Sequence, residues 1–125
     1  MKPRIRSQGD MELAAQRVGQ VMGAPWAADY GRLCHSFPVM VLTCGLCQAV
    51  AFSQAKAKDE GNRGKAHSSI LADVEAIVGI GAEKIVEASA FDYMHFTRRI
   101  LAAWIYYKRF AVSVLKVERG GSSDE

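Results

Sequence analysis

The 125-residue sequence predicts an all-α, single-domain bundle of five to six helices, with a buried central helix and a long C-terminal helix. Three observations carry that prediction. Apolar residues recur at three- and four-residue intervals in nearly every segment, while the alternation expected of half-buried strands is missing. Helix stop and start residues (Gly23, Pro25, Gly79, Gly81, Ser89) fall between the periodic stretches. Half of the residues are apolar and 23% are charged, which suits one core of roughly 14 Å radius and excludes a disordered chain or a membrane bundle.

By pattern the chain divides into a flexible basic N-terminus (1–9), a helical domain (10–118) and a disordered tail (119–125). Asp10 reads as an N-cap, its carboxylate facing the free amides of a first helix that runs to about Met22 through Leu13, Ala14, Val18 and Val21. Pro25 breaks the chain before a short helix from Ala27 to about His35. Pro38 then reads as the first turn of a new helix, where a missing N–H costs nothing. From Val39 to about Lys58 that helix is apolar on every side until Ser53, which predicts burial at the centre of the domain. Its greasiest part, Val39 to Phe52, is too short to span a bilayer. Asp59 to Lys65 reads as a polar loop. Ser68 or Ser69 opens the next helix, through Ile70, Leu71, Val74, Ile77 and Val78, and Gly79-Ile80-Gly81 stops it. A short helix from Ala82 to about Glu87 follows. Ser89, with Asp92 three residues on, resembles a capping box for a last helix running to about Glu118, about 45 Å long.

Charge is segregated along the chain. Residues 31–67 hold five basic side chains against two acidic, and 92–119 six against two, whereas 68–91 hold one against four. The formal charge of +3 is what remains after these cancel. On a helical wheel the last helix turns Tyr93, Phe96, Ile100, Trp104, Tyr107 and Ala111 to one side. The opposite side carries Arg98, Arg109 and Lys116 close to one line, flanked by Arg99, His95, Ala102 and Tyr106. A solvated face is the ordinary reading of such a stripe. The absence of any acid on it favours a phosphate backbone as the partner. Lys56, Lys58, Arg63 and Lys65, at and beside the predicted loop, form a second basic cluster that either clamps phosphate or is simply solvated.

Two further motifs compete. Cys44-Gly45-Leu46-Cys47 imitates a thioredoxin-type C-x-x-C at a strand-to-helix junction, but no other strand pattern and no later proline accompany it, so two small buried residues at a helix crossing are the better reading. Zinc held by Cys34, His35, Cys44 and Cys47 has the ligand count without a second knuckle. Ile77-Val78-Gly79-Ile80-Gly81-Ala82 is half of a helix-hairpin-helix signature; a plain C-cap and turn is the better reading, since Glu83 and Glu87 would repel phosphate. His35, His67 and His95 are scattered, and no catalytic arrangement stands at readable spacing. No cofactor and no metal are therefore expected. The odd count of three cysteines and the absence of a secretory signal pattern suggest a reducing cytoplasm.

At these residues a family resemblance enters. Phe37-Pro38-Val39-Met40-Val41-Leu42-Thr43-Cys44-Gly45-Leu46-Cys47-Gln48-Ala49-Val50-Ala51-Phe52 resembles the central helix of the small subunit of type III-B (Cmr-type) CRISPR effector complexes. Arg98 to Ile105 with Lys108 to Ala111 resembles its closing helix, and Arg17-Val18 sits in a matching first helix. Cys44 and Cys47 depart from the family pattern of Asn and a small residue. The resemblance implies a non-catalytic helical subunit whose copies stack along the guide RNA–target RNA duplex, beside the other Cmr subunits. On that reading Arg98, Arg109 and Lys116, helped by Arg99, Arg17, Lys56, Lys58, Arg63 and Lys65, contact phosphates without reading sequence. A thiol redox protein and a purely structural helical adaptor are the two alternatives.

Overall fold

Trp104 and Tyr107, fully buried on the last helix, stack on each other with ring centres 4.5 Å apart and nearly parallel planes. The rest of the core is built round them. The computed structural model describes residues 6–118. Among them are α1 (Arg6–Val21), α2 (Ala27–Cys44), α3 (Leu46–Lys56), α4 (Asn62–Val78), α5 (Ala82–Val86) and α6 (Ala90–Ser113), with no strand. The all-α class, the single domain and the long closing helix of the sequence prediction stand. Helix α1 lies along α6, α2 packs on both α4 and α6, and α3 bridges α2 and α4. Ile100, Ala103, Trp104, Tyr107 and Ala111 form the buried side of α6, at the spacing its wheel predicts.

Several boundaries differ from those the local pattern predicts. The predicted flexible stretch 1–9 lies outside the described residues up to position 5, and Arg6 to Gly9 are already helical. Asp10 is therefore no cap. It sits inside α1, 7% exposed, paired with Arg99 of α6 through contacts of 3.2 Å. The predicted tail, 119–125, has only its flank at Glu118 within the described residues. Helix α4 begins at Asn62, so the polar loop is shorter than expected and Ser68 and Ser69 are interior positions. Ser89 does cap α6, accepting from the Asp92 amide at 3.2 Å.

The largest correction concerns Pro38. It does not start a helix; α2 runs straight through it. A proline at 38 removes the N–H that would bond the Cys34 carbonyl one turn back. In this fold Trp104 supplies the substitute: its indole Nε1–H donates to that same carbonyl at 2.8 Å. The break comes instead at Gly45, whose φ of 91° and ψ of 157° lie in a region reserved for glycine. The apolar stretch is thus two helices, and each shows a face to solvent: Val39 is 56% exposed, Leu42 73% and Phe52 39%.

A β-carbon at Gly45 would also lie 2.7 Å from Tyr93 Oη, the atom that accepts the Cys47 amide hydrogen at 3.2 Å. Gly45→Ala is expected to cost about 2–3 kcal/mol, from backbone strain plus displacement of Tyr93. Urea unfolding checks this. Making the change in a Tyr93→Phe background should cost less, because the clash is relieved while the strain stays. Equal costs in the two backgrounds would remove Tyr93 from the account.

Candidate nucleic-acid interface

The nine basic residues singled out by sequence separate into three groups. Arg98 and Arg109 are exposed on α6, eleven residues and about 16 Å apart along one ridge. Neither has a carboxylate partner among the described residues. Arg109 stands over the Tyr106 ring, 5.5 Å from its centre. Lys116 does not continue the line. Helix α6 stops at Ser113, about 36 Å after it starts. Lys116 then takes a left-handed conformation (φ 63°), and Val117 turns back against Gly31, where a β-carbon would lie 2.6 Å from the valine side chain. The Val117 carbonyl is 2.8 Å from His35 Nε2. The helix therefore carries two of the three predicted ridge cations, and Lys116 is exposed beyond its end.

Arg17 and Arg99 are turned inward, where the sequence pattern predicts them facing phosphate. Arg99 binds Asp10 and reaches the Ile77 carbonyl at 3.4 Å. Arg17 Nε donates to Asp73 at 2.6 Å. Asp73 is 1% exposed and also accepts from the Tyr30 hydroxyl, so one carboxylate joins α1, α2 and α4. Burial pushes its pKa up to about 6, against the pull of the Tyr30 and Arg17 hydrogen bonds and the Arg17 charge. Burial likewise pushes Tyr30, Cys34 and Tyr107 up, so all three stay neutral around this one charge. Nothing local in the sequence marks Asp73, since Arg17 lies 56 residues away and Tyr30 43.

The third group surrounds the end of α3 and the start of α4. Lys56 is half-buried, its ammonium 5.5 Å from the Phe52 ring centre. Lys58 is exposed in the following turn, and Arg63 and Lys65 are exposed in the first turn of α4. Lys65 shares a groove with Asp59 and Glu60, which dilutes its charge. Beneath them lies His67, held below its ordinary pKa by burial and then by Arg63 and Lys56, with Asp29 opposing. Its Nδ1 is 3.1 Å from Ser53 Oγ. Ser53 is 2% exposed and His67 1%, so the pair is closed to a substrate.

The competing motifs resolve in the same geometry. Cys44 is the last residue of α2, exposed, and Cys47 is half-buried in α3; a helix, and no strand, precedes the C-x-x-C. The expectation that both cysteines are buried fails: Cys44 is exposed and Cys47 is only half-buried. Only Cys34 is buried, and among the described residues no group of three or more His, Cys, Asp or Glu could hold a metal. Gly79 is a left-handed C-cap (φ 82°), as the turn reading has it. The amide at the start of α5 that a helix-hairpin-helix would aim at phosphate, that of Ala82, donates to Glu75 at 2.9 Å. No helix among the described residues is long and apolar enough to cross a membrane.

The chain resembles known proteins in both sequence and fold. The family model of CRISPR-associated Cas_Cmr5 proteins matches residues 6–114. A Thermus thermophilus protein named CRISPR system Cmr subunit Cmr5 is 30% identical over 118 residues, covering 90% of this chain and 98% of its own. The crystal structure of a CRISPR-associated Cmr5 family protein from the same organism superposes with a TM-score of 0.75 at 28% identity, over 90% of this chain and 99% of that one.

Proposed function

Since the chain belongs to the Cas_Cmr5 family of CRISPR-associated proteins, we propose that it is a non-catalytic small subunit of a Cmr ribonucleoprotein complex that contacts nucleic-acid phosphates. Several copies stack along the guide RNA–target RNA duplex in the cytoplasm, beside the other Cmr subunits. The observation that carries the phosphate contact is the α6 ridge: Arg98 and Arg109, both exposed, with no carboxylate partner among the described residues. Lys56, Lys58, Arg63 and Lys65 offer a second contact, and Lys116 lies beyond the end of the ridge helix. Exposed Leu42 (73%) and Phe91 (81%) support a life inside a larger assembly, where neighbours would cover them.

Two phosphate contacts from the ridge give a salt slope of only about −1.4 on single strands, so affinity accumulates from copies arranged in a row. In the reconstituted complex, Arg98→Glu with Arg109→Glu should cut photo-crosslinking of this subunit to RNA to roughly a tenth, two favourable contacts having become repulsive. Melting temperature should hardly move, because neither side chain supports the core. Undiminished crosslinking would remove the ridge from the interface. Crosslinking absent already in the parent complex would leave a structural adaptor.

A further inference from the structure

A cleft of about 380 Å³ opens between the first half of α2 and the first turn of α4, lined by Asp29, Arg32, Leu33, Ser36 and Arg63. Asp29, Arg32, Leu33 and Ser36 recur at three- and four-residue steps on one face of α2. Arg63 enters from the opposite wall. Arg32 is already oriented: its Nη2 donates to Asp29 Oδ1, which leaves the rest of its fork of N–H groups for a ligand. Arg63 has no carboxylate partner among the described residues. Its charge reaches the buried His67, whose pKa is lowered first by burial and then by Arg63 and Lys56, with Asp29 opposing. The cleft therefore offers two guanidiniums, a hydroxyl and one carboxylate, and the carboxylate keeps free lone pairs beyond its bond to Arg32.

We infer that this cleft seats one ribose-phosphate unit of RNA and distinguishes it from DNA. Arg32 and Arg63 take the phosphate oxygens, with Ser36 as an additional donor. Asp29 can only accept, and the group it accepts from is the ribose 2′-hydroxyl. Leu33 gives the carbon face of the sugar an apolar wall. On DNA the Asp29 carboxylate loses that donor, so its repulsion of the phosphate, present with both polymers, goes uncompensated. The inference rests on the reading of the chain as a phosphate-contacting subunit; it adds Asp29, Arg32 and Ser36 and a preference between the two polymers.

The test uses the full chain at low salt, with fluorescence anisotropy of a labelled single-stranded RNA and of the DNA with the same base order. The parent chain should bind RNA more tightly than DNA by roughly tenfold or more, the worth of one hydrogen bond to a charged group. Arg32→Ala with Ser36→Ala should weaken RNA binding roughly tenfold. Asp29→Ala should erase the preference for RNA, while Asp29→Asn, which keeps a carbonyl acceptor, should retain it. Circular dichroism confirms that each variant is folded. Equal affinity of the parent chain for both polymers, or an unchanged preference in Asp29→Ala, overturns the inference. If Arg98→Glu with Arg109→Glu abolishes RNA binding while the cleft variants bind like the parent, the cleft fails and the ridge stands. A parent chain that binds neither polymer, even at protein concentrations high enough for copies to line up along the strand, overturns both.

Discussion

Trp104→Ala is expected to lower the unfolding free energy by about 4 kcal/mol and the melting temperature by roughly 15 °C, measured by calorimetry. The side chain is fully buried, stacked on Tyr107 and set 5.1 Å from the Phe37 ring centre. Its removal leaves a cavity in the middle of the bundle. It also leaves the Cys34 carbonyl without a donor, since Pro38 has no N–H to return. That second part can be isolated. Trp104→Phe keeps an aromatic ring and loses the indole N–H, for an expected cost of about 2–3 kcal/mol. Pro38→Ala restores the backbone N–H one turn after Cys34. In the Trp104→Phe background it should recover about 1 kcal/mol or more, whereas with Trp104 intact the donor is redundant and the gain should be smaller. Additive effects in this double-mutant cycle would show that the two residues do not share the carbonyl.

The second large effect is a dependence on pH. Asp73 faces Arg17 from α1, Tyr30 and Cys34 from α2, and Tyr107 from α6; of these, only Arg17 is charged at neutral pH. Its folded pKa of about 6 lies above the ordinary 3.8, so the fold favours the protonated carboxyl. That contribution is full below about pH 4 and is lost as pH rises through about 6. Two units correspond to about 3 kcal/mol. Asp73→Asn has no such titration. The stability of the parent chain relative to Asp73→Asn should therefore fall by about 3 kcal/mol from pH 4 to pH 7 and stay flat above it, in urea unfolding at each pH. Parallel curves for the two proteins would show that Asp73 titrates as an ordinary carboxylate.

What could be read along the chain was what neighbours in sequence determine. The buried face of α6 follows from the spacing of Ile100, Trp104, Tyr107 and Ala111, and its start from Ser89, whose bond to Asp92 spans three residues. Gly79 ends α4 for a reason visible in one residue. The misreadings at Asp10, Pro38, Arg17 and Arg99 have one origin. Asp10 looks like a cap until Arg99, 89 residues on, claims its carboxylate. Pro38 looks like a helix start until an indole from another helix replaces its missing donor. Arg17 looks available for phosphate until Asp73 is folded against it. Of the candidate site, Arg98 and Arg109 were legible because a free cation on an exposed ridge requires nothing from elsewhere. The cleft was not, since Arg63 and the Asp29–Arg32 pair meet only when α4 is laid against α2.

The proline in α2 has a consequence for the order in which the chain acquires structure. Its helix cannot close its own ladder of backbone bonds; the missing donor is encoded 70 residues later. During synthesis α1 to α5 emerge first, and until Trp104 follows them the Cys34 carbonyl can bond only to water. Release of the C-terminal helix is then the event that completes the second one. A nascent chain arrested before it would remain open to proteases along α2, which ties the protein's survival in the cell to the translation of its final quarter.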